Sequence, residues 1–136
     1  MKKANIREDS TFLQSILSKK DYYSKIQVYS GYMNITKQLI NTISISIPNI
    51  EIYTSSPQAN SFYKAGRFKS YIPYMYRVYE RNLLLKKNVK IFEYIKPKWT
   101  FHGKGIWLYQ RGNEFPSISV VGSSNYSMIS YNNKYR

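Results

Sequence analysis

The order of helix-like and strand-like segments is the feature of this sequence that most limits its fold. Two segments with helical spacing of apolar residues are each followed by a short run rich in β-branched residues. A third helix-like segment precedes three further strand-like runs, and a turn at 111–113 joins the last two. This order predicts an α/β fold with a mixed β-sheet flanked by helices. The sequence shows no internal repeat and no linker, so residues 1–136 are expected to form a single domain.

Capping and breaking residues set the predicted boundaries. The predicted helices are Thr11–Lys20, capped by Asp9 or Ser10, a segment from the cap Asn34 to Pro48, and Pro73–Lys87. The predicted strands are Lys25–Ser30, Asn49–Thr54, Asn88–Ile95, Trp99–Tyr109 and Ser117–Gly122. The residues of the second helix that are expected to face inward are Ile35, Leu39, Ile40 and Ile43. Residues 55–61 are expected to form a loop.

The charge of the chain restricts the partners it suits. It has 21 Lys and Arg against 7 Asp and Glu, which gives a formal net charge of +14. This excess favours a polyanion: nucleic acid, an anionic membrane surface or a phosphorylated substrate. Lys, Asn, Tyr and Ile share A/T-rich codons, so nucleotide bias also accounts for part of it. The 15 tyrosines are scattered along the chain, unlike the clustered aromatics of a nucleic-acid platform.

The chain contains no cysteine and a single histidine, His102. Disulfides, thiol nucleophiles, Cys-type zinc sites and multi-His metal sites within one chain are therefore excluded, and neither a metal nor a cofactor is expected. No apolar run is long enough to cross a membrane. The first nine residues lack the apolar core of a signal peptide and carry acids that a mitochondrial presequence avoids.

The residues best suited to chemistry lie around this histidine. His102 and Lys104 form an H-x-K pair in the fourth predicted strand, so both side chains are expected on one face, with Gly103 leaving space for a ligand. The fifth strand ends in G-S-S-N, and hairpin pairing would bring Ser123 and Asn125 beside them. The ammonium and the polar groups suit a phosphoryl group, on which the imidazole could attack phosphorus or protonate a leaving oxygen. A lone histidine on a strand would be structural or solvated, and the paired motifs weigh against that interpretation.

H-x-K followed by G-S-x-N resembles the HKD motif of the phospholipase D superfamily. The flanking residues resemble the C-terminal half of its mitochondrial phosphatidylglycerophosphate synthases, which are CDP-diacylglycerol–glycerol-3-phosphate 3-phosphatidyltransferases. The segments that carry this resemblance are Phe12–Lys20, the S-G-Y-x-N of Ser30–Asn34, the P-x-A-N-x-F-Y of Pro57–Tyr63, the W-x-x-H-x-K-G-x-W-L of Trp99–Leu108, and Gly122–Tyr126.

The resemblance implies a phospholipase D-like half-domain and a metal-free, phosphohistidine-type transfer of the phosphatidyl group from CDP-diacylglycerol to glycerol 3-phosphate. Two half-domains, each with one HKD histidine, form such a site, so this chain is expected to be the second half of a longer enzyme. The resemblance makes His102 the acid/base partner of the other histidine. It implies phosphate binding by Lys104, Ser123, Asn125 and Asn60. It also implies a missing first half or a homodimer mate, and peripheral attachment to the anionic surface of the mitochondrial inner membrane.

Two other hypotheses on function remain open from the sequence. Small nucleases of the superfamily carry one HKD motif and complete the site by homodimerisation, although nucleic acid is the less favoured partner here. The chain could alternatively be a non-catalytic remnant of the synthase. It departs from the family pattern at Ile129, where an Arg is usual, and it has no acidic residue after Glu114 to orient the histidine.

Overall fold

The computed structural model describes residues 15, 18–19, 21–33, 35–59, 75, 78, 80–83 and 85–123. Their regular elements are, in chain order, β1 (Tyr23–Ser30), α1 (Lys37–Ser46), β2 (Asn49–Ser55), a 3₁₀ turn (Pro57–Ala59), β3 (Val89–Tyr94), β4 (Lys104–Gln110) and β5 (Ile118–Val121). Residues 75, 78 and 80–83 are helical, as predicted, and a turn follows at 85. Most of the predicted helix Thr11–Lys20 lies outside the described residues.

The five strands form one mixed sheet in the order β3-β2-β1-β4-β5. β1, β2 and β3 are mutually parallel, whereas β4 is antiparallel to both β1 and β5. The predicted hairpin of β4 and β5 is therefore confirmed. Its turn is closed by a hydrogen bond from the Asn113 amide to the Gln110 carbonyl, and Gly112 takes the positive φ of 85° that the turn requires.

One predicted strand begins too early. β4 starts at Lys104 and not at Trp99, so residues 99–103 are irregular. Their alternating apolar pattern resembles a strand, but a strand needs a partner. β1 ends at Ser30, which pairs with Lys104. Residues 99–103 therefore have no residue of β1 with which to form ladder hydrogen bonds.

The helix α1 crosses between two parallel strands and begins two residues later than predicted. Its N-cap is Thr36 rather than Asn34, because the Thr36 hydroxyl accepts a hydrogen bond of 3.1 Å from the Leu39 amide. At its other end, Asn88 donates to the carbonyls of Ser44 and Ile47 at 3.2 and 2.9 Å. These bonds satisfy terminal helix carbonyls and tie α1 to the start of β3.

The two faces of the sheet differ in chemistry. One face packs its aliphatic residues against α1 and Leu83 in a single core, which contains all four residues expected to face inward: Ile35, Leu39, Ile40 and Ile43. A cluster on one face is what strand alternation predicts. The strand members of that core are Tyr23, Ile26, Val28, Ile50, Ile52, Val89, Ile106 and Leu108.

The opposite face carries aromatic residues that cross four strands, here called the aromatic row: Phe92, Tyr53, Tyr29 and Trp107. Phe92 and Tyr53 stack at 4.9 Å, Tyr53 and Tyr29 stack at 4.5 Å, and Tyr29 meets Trp107 edge-on at 4.7 Å between ring centroids. The Trp107 indole lies over Gly105, where a Cβ would come within 2.5 Å of it. The aromatic row is only partly buried, and Phe92 is 42% exposed.

Candidate active site

One edge of the sheet carries all three predicted site residues that the structure describes: His102, Lys104 and Ser123. β1, β2, β3 and β5 end at this edge, and β4 begins there. We call it the carboxyl edge. Ligands of open α/β sheets bind outside the carboxyl ends of the strands, where loops supply the functional side chains.

His102 lies at the carboxyl edge, in the irregular segment just before β4. Its side chain is exposed to solvent. The prediction that it shares a strand face with Lys104 is therefore wrong, because the strand starts two residues later. An exposed imidazole at this edge is nevertheless accessible to a ligand in a way that a core histidine is not.

Lys104 is the first residue of β4 and is half-buried. Its Nζ donates a hydrogen bond of 3.4 Å to the backbone carbonyl of His102. Burial lowers the pKa of the Lys104 ammonium from its usual value. A phosphate group beside it would favour the charged form and act against that shift, since opposite charges raise the pKa of a cation.

Gly103 does not provide the ligand space that the sequence suggested. A Cβ at this position would come within 2.6 Å of Cζ of the Phe101 ring. The space beside Gly103 is therefore filled by an aromatic ring of the same segment.

Ser123 follows β5 at the carboxyl edge and is exposed. β4 and β5 pair Gly105 with Val121, so the next pair in this register would place Gly122 opposite Lys104. The structure thus brings Ser123 to the same edge as the H-x-K pair. Among the described hydrogen bonds, none joins it to His102 or Lys104. Asn125 and Asn60 lie outside the described residues.

A group of buried hydroxyls at the carboxyl edge was not predicted from the sequence: Ser30, Thr54, Ser55 and Ser56. Ser30 pairs with both Thr54 and Lys104 across the sheet. The Thr54 hydroxyl is fully buried, and it has no hydrogen-bond partner in the described structure. A small polar residue that ends an apolar strand is the signal that could have identified this group.

Among the predicted site residues that the structure describes, the titratable groups are the His102 imidazole and the Lys104 ammonium. No set of three His, Cys, Asp or Glu side chains within the described residues could hold a metal ion. The Lys104 ammonium can stabilise phosphate charge, and the His102 imidazole can donate or accept one proton at a time. In the described ranges no helix is long and apolar enough to cross a membrane.

Comparisons with known proteins place this arrangement in a family context. No protein-family model matches the chain. The chain is 34% identical over 129 residues to the probable CDP-diacylglycerol–glycerol-3-phosphate 3-phosphatidyltransferase of Dictyostelium discoideum, covering 90% of this chain and 22% of that protein. It is 29% identical over 133 residues to the mitochondrial enzyme of the same name from Homo sapiens, covering 93% and 24%. The chain thus spans about a quarter of the length of these relatives.

The fold also matches a solved structure. The phosphatidylserine synthase of Haemophilus influenzae aligns with a TM-score of 0.63 and 19% identity, over 74% of this chain and 25% of that protein. The α/β fold with a mixed sheet that the sequence predicted is confirmed, and the chain shares this fold with that protein over 74% of its length. The chain is a homologue of the CDP-diacylglycerol–glycerol-3-phosphate 3-phosphatidyltransferases, as its motifs predicted.

Proposed function

We propose that this homologue of the phosphatidyltransferases is a single half-domain that supplies one of the two histidines of a phosphatidyl-transfer site. The substrates would be CDP-diacylglycerol and glycerol 3-phosphate, and the products phosphatidylglycerophosphate and CMP. The observation that carries the proposal is the exposed His102 beside Lys104 at the carboxyl edge, in a chain that aligns with these enzymes over about 90% of its length. The reaction would need this chain together with the half-domain that supplies the other histidine.

The first step of the proposed reaction breaks the pyrophosphate of CDP-diacylglycerol. A histidine of the other half attacks the phosphorus that bears diacylglycerol, forming a P–N bond while the P–O bond to CMP breaks. His102, protonated, donates its proton to the leaving oxygen of CMP. Lys104 neutralises the non-bridging oxygens, together with Ser123, Asn125 and Asn60 as hydrogen-bond donors.

The second step reverses the proton movement. Neutral His102 takes the proton from a hydroxyl of glycerol 3-phosphate, and the resulting oxygen attacks the phosphorus. The P–N bond breaks, which releases phosphatidylglycerophosphate and restores the first histidine. Because this chain contains one histidine, the partner histidine must come from a first half-domain or from a homodimer mate.

The substrate is a lipid, so the proposed site would work at an anionic membrane surface. Three apolar side chains along the carboxyl edge are largely exposed: Ile95 at 66%, Trp99 at 60% and Val121 at 73%. The Lys96 ammonium lies 4.2 Å from the centroid of the Trp99 ring. Tryptophan with adjacent lysines is typical of membrane–water interfaces. The relatives from mammals and chicken are named as mitochondrial, and we extend peripheral attachment to the inner mitochondrial membrane to this chain.

The membrane part of the proposal is tested by sedimentation with vesicles. The chain should bind vesicles that contain phosphatidylglycerol and leave pure phosphatidylcholine vesicles unbound, since each basic residue near an anionic surface contributes about 1 kcal/mol. Trp99→Ser should weaken binding. Phe115→Ser, which removes another largely exposed ring (77%) from the β4–β5 connection, is the matched control. Equal binding of the Trp99 variant and the control would contradict a membrane-facing carboxyl edge.

The transfer reaction is tested in a chimera. This chain replaces the matching 129-residue segment of the Dictyostelium relative, and the incorporation of labelled glycerol 3-phosphate into lipid is measured with CDP-diacylglycerol present. We expect transfer in the chimera and a loss of about 10³-fold in His102→Ala, which is within the usual contribution of a general acid–base. Lys104→Ala should also reduce transfer.

Lys90→Ala is the matched control, because Lys90 is an exposed lysine on β3 and lies away from the carboxyl edge. A folded chimera that transfers nothing would refute the proposed function. Cleavage of plasmid DNA by the chain alone, resistant to chelators and lost in His102→Ala, would favour the homodimeric nuclease instead.

A further inference from the structure

Within the part of the chain that the structure describes, no side-chain hydrogen bond fixes the position of His102. Residues 99–103 have no strand partner, and in the described structure the imidazole makes no hydrogen bond. Among the described hydrogen bonds, the one that holds His102 joins its backbone carbonyl to Lys104 Nζ. A general acid–base must nonetheless be placed within hydrogen-bond reach of its proton partner. Neighbouring residues must therefore set the path of this backbone.

The residue before the histidine is anchored to the aromatic face. The Phe101 ring lies 5.4 Å from the Tyr94 ring and 6.5 Å from the Tyr29 ring, between centroids. Both distances are within the range of favourable aromatic pairs. Tyr29 is itself fixed, because it stacks on Tyr53 and meets Trp107 edge-on.

Gly103, the residue after the histidine, packs against the same Phe101 ring. A Cβ on Gly103 would lie 2.6 Å from Cζ of the Phe101 ring, which is closer than real Cβ atoms approach other atoms, and 3.1 and 3.3 Å from its two Cε atoms. The ring therefore folds back over the Gly103 backbone. The His102 peptide is thus held by Phe101 and Gly103 on the aromatic side and by Lys104 through its carbonyl.

We propose that Phe101 is a positioning residue for His102, and that Gly103 is required because only glycine leaves room for the Phe101 ring. The catalytic importance of this positioning of His102 rests on the proposed function. The Phe101 ring touches no reacting atom and acts by fixing the backbone that presents the imidazole at the carboxyl edge.

The single histidine gives a direct test on the untagged full chain. With histidine labelled with ¹³C in its ring, NMR shows one Cε1–H resonance, which belongs to His102. Phe101→Ala should move that resonance toward the position of a histidine in an unstructured peptide. Phe101→Tyr should keep it near its original position. Phe115→Ala is the matched control, since it removes an exposed ring from the β4–β5 connection. Unchanged methyl resonances of the core isoleucines confirm that each variant is folded.

A double-mutant cycle tests the link between the two residues. Gly103→Ala alone should shift the His102 resonance, because its methyl group displaces the Phe101 ring. In the Phe101→Ala background the same substitution should shift it little, since the obstructing ring is gone. Contacting residues show such non-additivity, whereas independent sites add. Equal shifts in both backgrounds would overturn the assignment of Gly103.

The chimera supplies the functional readout. Phe101→Ala should lower kcat by about 10²-fold and leave KM for CDP-diacylglycerol nearly unchanged, as expected for misplacement of a catalytic group by about 1 Å. Phe101→Tyr should restore kcat. A folded Phe101→Ala variant with an unmoved His102 resonance would overturn the proposal. A chimera inactive even with native Phe101 would refute the proposed function, and the resonance would still decide whether Phe101 positions the histidine.

Discussion

The two faces of the sheet are made by alternate residues of the same strands, yet they are built on different principles. On β2, Ile52 is fully buried against α1, whereas its neighbour Tyr53 stacks between two other rings on a partly exposed surface. The aliphatic face supplies the strand residues of the buried core. The aromatic face gives directional contacts, and one end of it holds the segment that contains His102. The difference suggests that stability and site geometry are supported by opposite faces.

The largest expected effect separates these roles through the aliphatic face. Ile52→Ala should lower the free energy of unfolding by about 2–5 kcal/mol, because it leaves a cavity in a closed core. Urea denaturation followed by circular dichroism measures this. The His102 resonance of the folded fraction should stay unchanged. A shift comparable to that of Phe101→Ala would contradict the division between the faces.

The neighbouring substitution on the aromatic face should cost less. Tyr53→Ala removes two stacked pairs, each worth about 0.5–1.5 kcal/mol, so unfolding should become easier by about 1–3 kcal/mol. The same urea titration provides the comparison with Ile52→Ala. A larger loss for Tyr53→Ala would show that the aromatic face is the true core.

The hydrogen bonds that attach α1 should contribute less to the free energy of unfolding than the Tyr53 ring does. Asn88→Ala removes the two side-chain hydrogen bonds to the end of α1, a loss of about 1–2 kcal/mol. Asn113→Ala, in the exposed β4–β5 connection, is the matched control and should be nearly neutral. Equal stability of the two variants would contradict the role of Asn88 in fastening α1.

The smallest expected effect is a loss of stability at alkaline pH that originates on the aromatic face. Burial and a 3.1 Å hydrogen bond to Glu51 raise the pKa of the Tyr53 hydroxyl to about 12, from 10.0. The folded state therefore holds this proton more tightly than the unfolded state does. Its contribution is fully present below pH 10 and is lost as the pH rises toward 12.

Tyr53→Phe should accordingly show a shallower fall in the free energy of unfolding over that interval, measured by urea titration at several pH values. Burial also raises the pKa values of Tyr23 and Tyr29, so part of the fall should remain. An identical pH dependence of the two proteins would show that Tyr53 does not contribute.

The sequence predicted the parallel strands well because their β-branched runs are bounded by turn residues. β1, β2 and β3 lie within two residues of their predicted bounds. The helix cap was misplaced because Asn34 and Thr36 are both good capping residues, and only the backbone shows which hydroxyl or amide meets an amide hydrogen. A local pattern cannot choose between equivalent caps.

The local geometry of the candidate site could not be predicted from the sequence. The alternation of residues 99–109 hides the end of the partner strand, which is set by a contact about 75 residues away in the chain. The packing of Phe101 against Gly103 is likewise a three-dimensional relation that the motif does not show. The buried hydroxyls were missed because serine and threonine also occur widely in loops. The roles of all five predicted site residues stay predictions: His102, Lys104, Ser123, Asn125 and Asn60.

Two glycines of the H-x-K segment each lie against an aromatic ring: Gly103 against Phe101, and Gly105 against Trp107. At both positions a methyl group would collide with the ring, and at Gly105 it would also meet the Val120 carbonyl at 3.0 Å. In evolutionary terms this couples each glycine to its aromatic partner. Homologous chains that replace the ring with a smaller side chain should be those in which alanine or serine is accepted at Gly103. Gly105 should stay more restricted, because a backbone atom limits it as well.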